Sequence, residues 1–597
     1  MLRTQGQVKP LRRKDDRIII HFDYDCFYAS VVEAENPALK SVPLAIQQKQ
    51  IIVTCNYEAR RHGLHKLELI TEAKKACPEV VIVLGEDLTR FRNASKDLYN
   101  TIRSFSWNDK VERLGFDEVW MDITDMVDYN VELLNMNDLT TSFFQLSRED
   151  PTAGFTFDAS KYAGHGFMHK SLTKHQARNE DEHLTTRLRL GSHLAMHIRH
   201  FLEEQKGYTS TVGISTSKIL SKLVGNLNKP RGQTTLVPPY LVEPPDSSNV
   251  LAFMDGHDIG KVPGIGFKLS DRLREHFLGR KPEMDKGLVY GGTKEKVTVG
   301  DMRTLPGLSP QQLDKVLSGP GSTHGIGAKV FALLHGIDDS EVIEARDVPR
   351  QISIEDSYIR LDTIDEAIRE MTSTSRRLVE RMRIDLTEAD PPSAGETGSE
   401  RRRWIGRPET LRLTTRPRLP LNDDGTRTRT FKRISRSTAL PGFVFNLDEH
   451  LDAIADRLVK EALLPLFKRL HPEKAGWNLS LLNVAVANMV DVGTTSKASA
   501  GRDIHSMLSR QEETLRPFQI QSSSTQLGIA PENKLSNSGS ATAEAEAEAE
   551  ADGVSLWEHD SEDEADEIVF FCAACKSSIP AFARAAHSRF HDRNHGA

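Results

Sequence analysis

Two strings far apart in this chain of 597 residues carry carboxylates in a pattern that could do chemistry. One is Ile18-Ile19-Ile20-His21-Phe22-Asp23-Tyr24-Asp25-Cys26-Phe27-Tyr28; the other is Glu112-Arg113-Leu114-Gly115-Phe116-Asp117-Glu118-Val119-Trp120-Met121-Asp122. Each sets acids beside an apolar run of β type. Asp23 follows a hydrophobic strand, and the Asp117-Glu118 pair falls at a hairpin tip. If the strands pair, Asp23, Asp117 and Glu118 converge on one edge of a sheet. Like charges packed that closely repel, so the cluster calls for cations. Oxygen-only ligands suit Mg2+ or Mn2+, and Mg2+ takes its remaining ligands from phosphates and water. Two such ions form the layout of a phosphoryl-transfer site. The alternative is that these acids are ordinary turn and strand-end residues, which is how Asp25 and Asp122 read.

Other side chains could serve the same chemistry. A phosphate chain needs a guanidinium fork, an ammonium and a hydroxyl arriving from different sides, and Arg60, Lys222 and Tyr57 supply those types; Arg60 also sits in a local charge run with Arg61 and His62, which could be a solvated face. In Val262-Pro263-Gly264-Ile265-Gly266, a Gly-x-Gly turn before a helix would offer backbone N–H groups to a phosphate and grip DNA without reading its sequence; it could equally be a plain helix–helix turn. The 401–436 stretch is Arg-rich. Arg412 and Arg429 alternate with other residues, as strands require to place bases on one face, and such a face would bind polyanions with a steep salt dependence. Near the C-terminus, Cys572, Cys575, His587 and His591 are spaced C-x2-C-x11-H-x3-H, the donor set of a closed structural Zn2+ site in a module too small to fold without metal.

The elements that must position these residues follow from patterning. Arg17–Phe22 reads as a buried strand, Phe27–Glu35 as a short helix, and Leu44–Ile46 and Ile51–Thr54 as strands. Leu98–Phe105 is helical and Glu118–Ile123 begins another strand. Residues 131–183 are rich in His, Gly, Ser and Thr and poorly periodic, which suggests an insertion. Helical periodicity returns over Leu184–Glu204; Thr211–Ser215 fits a strand and Lys218–Asn226 a helix. Residues 251–338 are helical and 347–490 β-rich, with a loop tip at 389–400. Residues 491–566 are too poor in apolar groups to offset chain entropy and should be disordered.

Composition sets the frame. The length implies several domains, and 38% hydrophobic residues suffice to fill cores. No apolar run approaches the roughly 20 residues needed to span a bilayer, the N-terminus lacks a signal pattern, and no membrane partner is expected. Five cysteines argue for a reducing compartment. The net charge of −7 is misleading. Residues 541–567 hold twelve acids and no Lys or Arg; removing them from 85 acids leaves 73 against 78 bases, a net of +5. The body is mildly basic, as suits a polyanionic partner.

These strings resemble the palm motifs of Y-family translesion DNA polymerases, in order and spacing. Val53-Thr54-Cys55-Asn56-Tyr57-Glu58-Ala59-Arg60 is similar to the family's fingers motif. Gly213-Ile214-Ser215-Thr216-Ser217-Lys218, continuing to Lys222 and Asn228-Lys229-Pro230-Arg231-Gly232, is similar to its second palm motif, and 262–266 to its thumb hairpin. Gln47-Gln48-Lys49 and Gly85-Glu86-Asp87-Leu88-Thr89-Arg90 look most like the iota-type members. The resemblance implies an α+β right-hand fold: a disordered basic N-terminus at 1–16, palm at 17–26 and 88–250 with 131–183 inserted, fingers at 27–87, thumb at 251–338, little finger at 347–490, an acidic linker at 491–566 and a zinc finger at 567–597. It implies primer-template DNA and deoxynucleoside triphosphates as substrates, two-metal nucleotide addition at low fidelity without proofreading, and a nuclear location. The backbone carbonyl of Tyr24 would be a further metal ligand, Tyr28 a steric gate against a ribose 2′-hydroxyl, Gln48 part of a roof over the templating base, and Lys218 a DNA contact. The C-terminal motif resembles a ubiquitin-binding zinc finger, implying ubiquitin or a ubiquitinated sliding clamp as partner, although Arg589 stands where that finger carries an Asp. The rival readings are an eta- or kappa-like bypass polymerase and a DNA- and ubiquitin-binding scaffold without catalysis.

Overall fold

The computed structural model describes residues 13–170, 179–240, 248–283, 293–319, 322–346, 348–358, 360–389, 402–418, 433–473, 477–491, 569–571 and 578–580. The chain divides into two compact units at Ala345/Arg346. Both mix helices with sheets, as the α+β expectation holds.

The first unit is built on a six-stranded sheet. Its strands are β1 (Ile19–Tyr24), β6 (Val111–Leu114), β7 (Glu118–Asp122), β10 (His165–Phe167), β11 (Ser210–Ser215) and β12 (Gln233–Leu236), in the order β10-β12-β11-β1-β7-β6. The central strand β1 pairs antiparallel with β11 on one side and β7 on the other. That position explains its near-continuous apolar run: Ile18, Ile19, Ile20 and Phe22 are all fully buried. Ile20, Phe22 and Tyr24 enter the large core; Ile19 packs with Trp120 and Val342 beneath the opposite face.

A smaller four-stranded sheet, β4-β3-β2-β5, is formed by β2 (Leu44–Gln48), β3 (Ile51–Cys55), β4 (Glu68–Leu69) and β5 (Val81–Leu84). Helices α1 (Phe27–Glu35), α2 (Tyr57–Arg61) and α3 (Ile70–Ala76) belong to this lobe, and its own small core holds Ala45, Ile52, Cys55, Ala59 and Ala73. Helices α4 (Thr89–Arg103), α5 (Thr124–Glu132), α6 (Asn179–Phe201) and α7 (Lys218–Gly225) complete the larger lobe, and α8 (Asn249–Asp255), α9 (Phe267–Leu278), α10 (Val299–Arg303), α11 (Pro310–Leu317) and α12 (Ile326–Leu334) form the helical 251–338 region.

The 131–183 region is more structured than its sequence suggests. Strands β8 (Ser142–Gln145) and β9 (Gly154–Phe157) pair as a hairpin, and β10 joins the main sheet in parallel with β12. Phe144, Phe155, Phe157 and His197 stack on one another and fasten the hairpin to α6. A short aromatic hairpin and a three-residue parallel strand carry too little periodicity to be read from one sequence.

The second unit is a four-stranded antiparallel sheet, β13-β18-β16-β17, from β13 (Gln351–Ser357), β16 (Gly406–Pro417), β17 (Ile434–Ala439) and β18 (Leu479–Asp491), backed by α13 (Ile364–Asp385), α14 (Leu451–Leu458) and α15 (Leu464–Leu470). Strands β14 (Thr387–Ala389) and β15 (Arg402–Trp404) pair across the proposed loop tip. Strands β19 (Val569–Phe571) and β20 (Ser578–Pro580) pair antiparallel. No helix among the described residues is long and apolar enough to cross a membrane.

Candidate active site

Register places the acids. Asp23 lies directly opposite Glu118 in the β1–β7 ladder, so their Cβ atoms share a face at about 5 Å. The hairpin from β6 to β7 closes with Leu114 opposite Glu118, leaving Gly115, Phe116 and Asp117 as a three-residue loop. Gly115 takes φ +64°, a left-handed conformation that glycine adopts without the cost a Cβ would bring. The Tyr24 N–H then donates to the Asp117 carbonyl at 2.8 Å, so the tip is fixed against the end of β1. All three acids therefore sit at one sheet edge.

Two lysines meet them. Lys222 donates to both Glu118 oxygens, at 2.6 and 2.5 Å, and Lys229 pairs with Asp23 at 2.5 Å. Among the described residues no cation pairs with Asp117 in this way. Asp117 is solvent-exposed at the hairpin tip, next to Glu118 and the end of β1. Burial first, then the Glu118 and Asp23 charges, push its carboxyl up to about 7. Burial also raises Glu118, against the pull of Lys222. His21 is buried beside Glu118 and Trp120; burial, then Lys222 and Lys229, holds it well below the usual imidazole range, and neither ring nitrogen has a hydrogen-bond partner.

Among the described residues no three His, Cys, Asp or Glu side chains close on a common point. Two of the three carboxylates turn instead toward lysines, which is how adjacent like charges relax. The donor chemistry fits a pair of hard divalent cations: three carboxylates at the same end of paired strands, the Tyr24 backbone beside them, and one acid, Asp117, that burial and then the Glu118 and Asp23 charges disfavour as a bare carboxylate.

The structure reassigns Lys218. The sequence expectation has it facing DNA, but its side chain is wholly buried and donates to both Glu112 oxygens at 2.7 Å. The geometry is simple. Glu112, Trp120 and Glu118 share one sheet face, and α7 lies over it. One i,i+4 step on a helix advances about 6 Å, close to the roughly 6.7 Å of two strand residues. Lys218 and Lys222 thus flank the Trp120 ring, at 4.9 and 5.6 Å from its centroid, each reaching a different glutamate. Lys229 is the residue that sequence reasoning passed over. Its motif was visible, but its contact with Asp23 depends on a turn that only the fold supplies.

On the neighbouring lobe, Tyr28 projects from α1 and stacks on Phe91 at 4.3 Å. Its hydroxyl is pushed up to about 12, by burial and then Asp117. Asn56 caps α2: its Oδ1 accepts from Ala59 N–H at 2.8 Å and Leu44 N–H at 3.1 Å, while its Nδ2 donates to the Val42 carbonyl. That cap sets the helix carrying Tyr57 and Arg60, whose guanidinium lies 4.6 Å over the Tyr57 ring. Burial raises the Tyr57 hydroxyl, with Asp25 next in effect. Gln48 ends β2 and donates to the Gly85 carbonyl at 2.7 Å. Asp25 accepts from the Thr211 hydroxyl and the Arg231 N–H, and Asp122 from Thr124; both are structural.

Gly264 adopts φ +85° and Gly266 precedes α9 as its N-cap. In the second unit Arg412 is half-buried and donates to Gln351 at 2.6 Å. Arg429, Cys572, Cys575, His587 and His591 lie outside the described residues.

The profile of the impB/mucB/samB family matches residues 22–226, and that of the same family's C-terminal domain matches 349–499. The chain belongs to this family, the Y-family polymerases. It is similar to DNA polymerase iota of Homo sapiens, 30% identical over 496 residues that cover 83% of this chain and 55% of that protein. DNA polymerase iota of Mus musculus is 37% identical over 268 residues, covering 45% of this chain and 33% of that protein. DNA polymerase IV of Mannheimia succiniciproducens is 25% identical over 360 residues, covering 60% and 74%. The chain thus spans about half of the human relative and a third of the murine one.

Proposed function

We propose that the protein is a template-directed DNA polymerase of the translesion kind, closest in manner to the iota-type enzymes, adding deoxynucleotides to a primer end. The observation that carries it is the Asp23–Glu118 register with Asp117 at the adjoining tip, lined by two lysines. In this reading the six-stranded sheet is the palm, the small sheet the fingers, 251–338 the thumb and 347–490 the little finger. Asp23, Asp117, Glu118 and the Tyr24 carbonyl would hold two Mg2+ or Mn2+ ions, which lower the pKa of the primer hydroxyl and stabilise the leaving pyrophosphate. Tyr57 and Arg60 receive the triphosphate from the fingers side. Lys222 and Lys229 exchange their carboxylates for phosphate oxygens as it arrives. The Tyr28 ring, braced by Phe91, leaves no room for a 2′-hydroxyl. Gln48 lies in the roof over the templating base, and Gly264, Gly266 and the basic strands grip the duplex backbone.

Primer extension by the purified chain opposite each template base, with Mg2+ and with Mn2+, tests this. Extension is expected, with purine templates favoured. A flat template profile would favour the eta- or kappa-like reading, and no extension with either ion would leave the DNA-binding scaffold.

For the C-terminal segment we propose a zinc-dependent finger on Cys572, Cys575, His587 and His591. Support comes from the ligand spacing and the β19–β20 pairing that brackets the two cysteines. Metal analysis of the full chain should return one zinc per molecule, lost in Cys572→Ala with primer extension retained; a zinc-free wild-type protein would refute the site. A nuclear location and a ubiquitin-linked partner belong to the same proposal.

A further inference from the structure

The turn that carries Gln48 is held from outside its own hairpin. Lys49, at its tip, takes φ +54°, a left-handed backbone that a non-glycine residue keeps only when its surroundings enforce it. Three bonds do so. The Lys49 N–H donates to the Glu86 carboxylate at 3.1 Å, the Gln47 amide donates to the Lys49 carbonyl at 2.7 Å, and the Gln48 amide donates to the Gly85 carbonyl at 2.7 Å. The Gly85 N–H in turn donates to the Gln47 carbonyl at 2.8 Å, extending the parallel β2–β5 pairing by one residue. Gly85 is needed there, because a Cβ at this position would stand 2.4 Å from the Ile46 side chain. A register shift after Ile46 adds one residue to β3 opposite this point, and such bulges re-aim the side chains beside them.

We infer that Gly85 and Glu86 are positioning residues, acting through Gln48 and Lys49, that set the height and tilt of the fingers turn over the templating base. They thereby fix how strongly a template purine is preferred over a pyrimidine. The inference rests on the roof reading of Gln48. Glu86 is exposed and its carboxylate accepts from the Lys49 N–H, so it can be changed without opening a core.

The experiment is single-nucleotide insertion by the full chain opposite each of the four template bases, with hydrogen exchange at the Lys49 amide as a second readout. In Glu86→Ala the purine-to-pyrimidine ratio of kcat/KM should fall about tenfold, the factor that 1.4 kcal/mol of lost positioning represents, and the Lys49 amide should exchange faster. Glu86→Gln keeps an acceptor oxygen and should restore both to within about twofold of wild type. A wild-type ratio in Glu86→Ala, with or without faster exchange, overturns the brace. Gln48→Ala separates the two levels: if it leaves the four-base profile unchanged, the roof reading itself is wrong, whereas a changed profile beside a silent Glu86→Ala rejects only the brace.

Discussion

Asp117→Ala is expected to cut nucleotide addition by roughly 10³-fold or more while the chain folds and binds primer-template duplex as before. The magnitude follows from what the residue would do: a ligand that helps stabilise charge developing in the transition state acts on the chemical step rather than on binding. Asp117 forms no ion pair among the described residues, and its carboxylate braces no neighbouring element, so its loss should cost the fold little. Single-turnover extension beside duplex anisotropy checks the split. Near wild-type extension would end the metal assignment. The same carboxyl gives the prediction a pH arm. Its folded-state proton affinity is raised, from the ordinary 3.8 to about 7, by burial and by Glu118 and Asp23. A raised carboxyl pKa adds stability at low pH that is lost as the pH climbs through that window. A divalent cation that screens the cluster should therefore raise the melting temperature more at pH 8 than at pH 6. Asp117→Asn should shrink that difference. Equal shifts at both pH values in the wild type would contradict the repulsion.

What could be read from the sequence divides along physical lines. Local signals were sound: α1 spans the expected Phe27–Glu35, and the Asp117-Glu118 pair falls at the β6–β7 hairpin. The meeting of Asp23 with Glu118 was also legible, because two apolar strands ending in acids have few ways to pair when both are buried. What sequence could not supply was partner choice over long separations. Lys218 and Lys222 are one helical turn apart on the same face, and nothing local says that one is sealed against Glu112 while the other stays beside Glu118. The exchange of Lys229 onto Asp23 is of the same kind. The β8–β9 hairpin escaped because its stability lies in aromatic stacking on α6, not in periodicity.

Lys218→Ala should destabilise the first unit by about 3–5 kcal/mol, the range for breaking a buried ion pair from one side. The ammonium is fully buried and donates to both Glu112 carboxylate oxygens and, at 3.5 Å, to the Glu341 carbonyl, and Glu112 is itself nearly enclosed, so truncation strands a charge in a dry site. The cost spreads further. The second Glu112 oxygen also accepts the Ile343 N–H at 2.9 Å, Val342 packs on Trp120 and Ile19, and the Ala345 N–H reaches the Asp109 carbonyl at 2.7 Å. The pair thus fastens the 338–345 strap to the back of the six-stranded sheet. Denaturant titration measures the loss. A Lys218→Met, Glu112→Leu double variant should recover the part due to the stranded charge, because an apolar pair of similar volume leaves no charge unpaired, while the Ile343 N–H loses its acceptor. A DNA-facing lysine would behave otherwise: its removal would weaken duplex binding, lower the salt slope by about one and leave the denaturation midpoint where it was. The buried geometry predicts the opposite on every measure, so one variant decides between them.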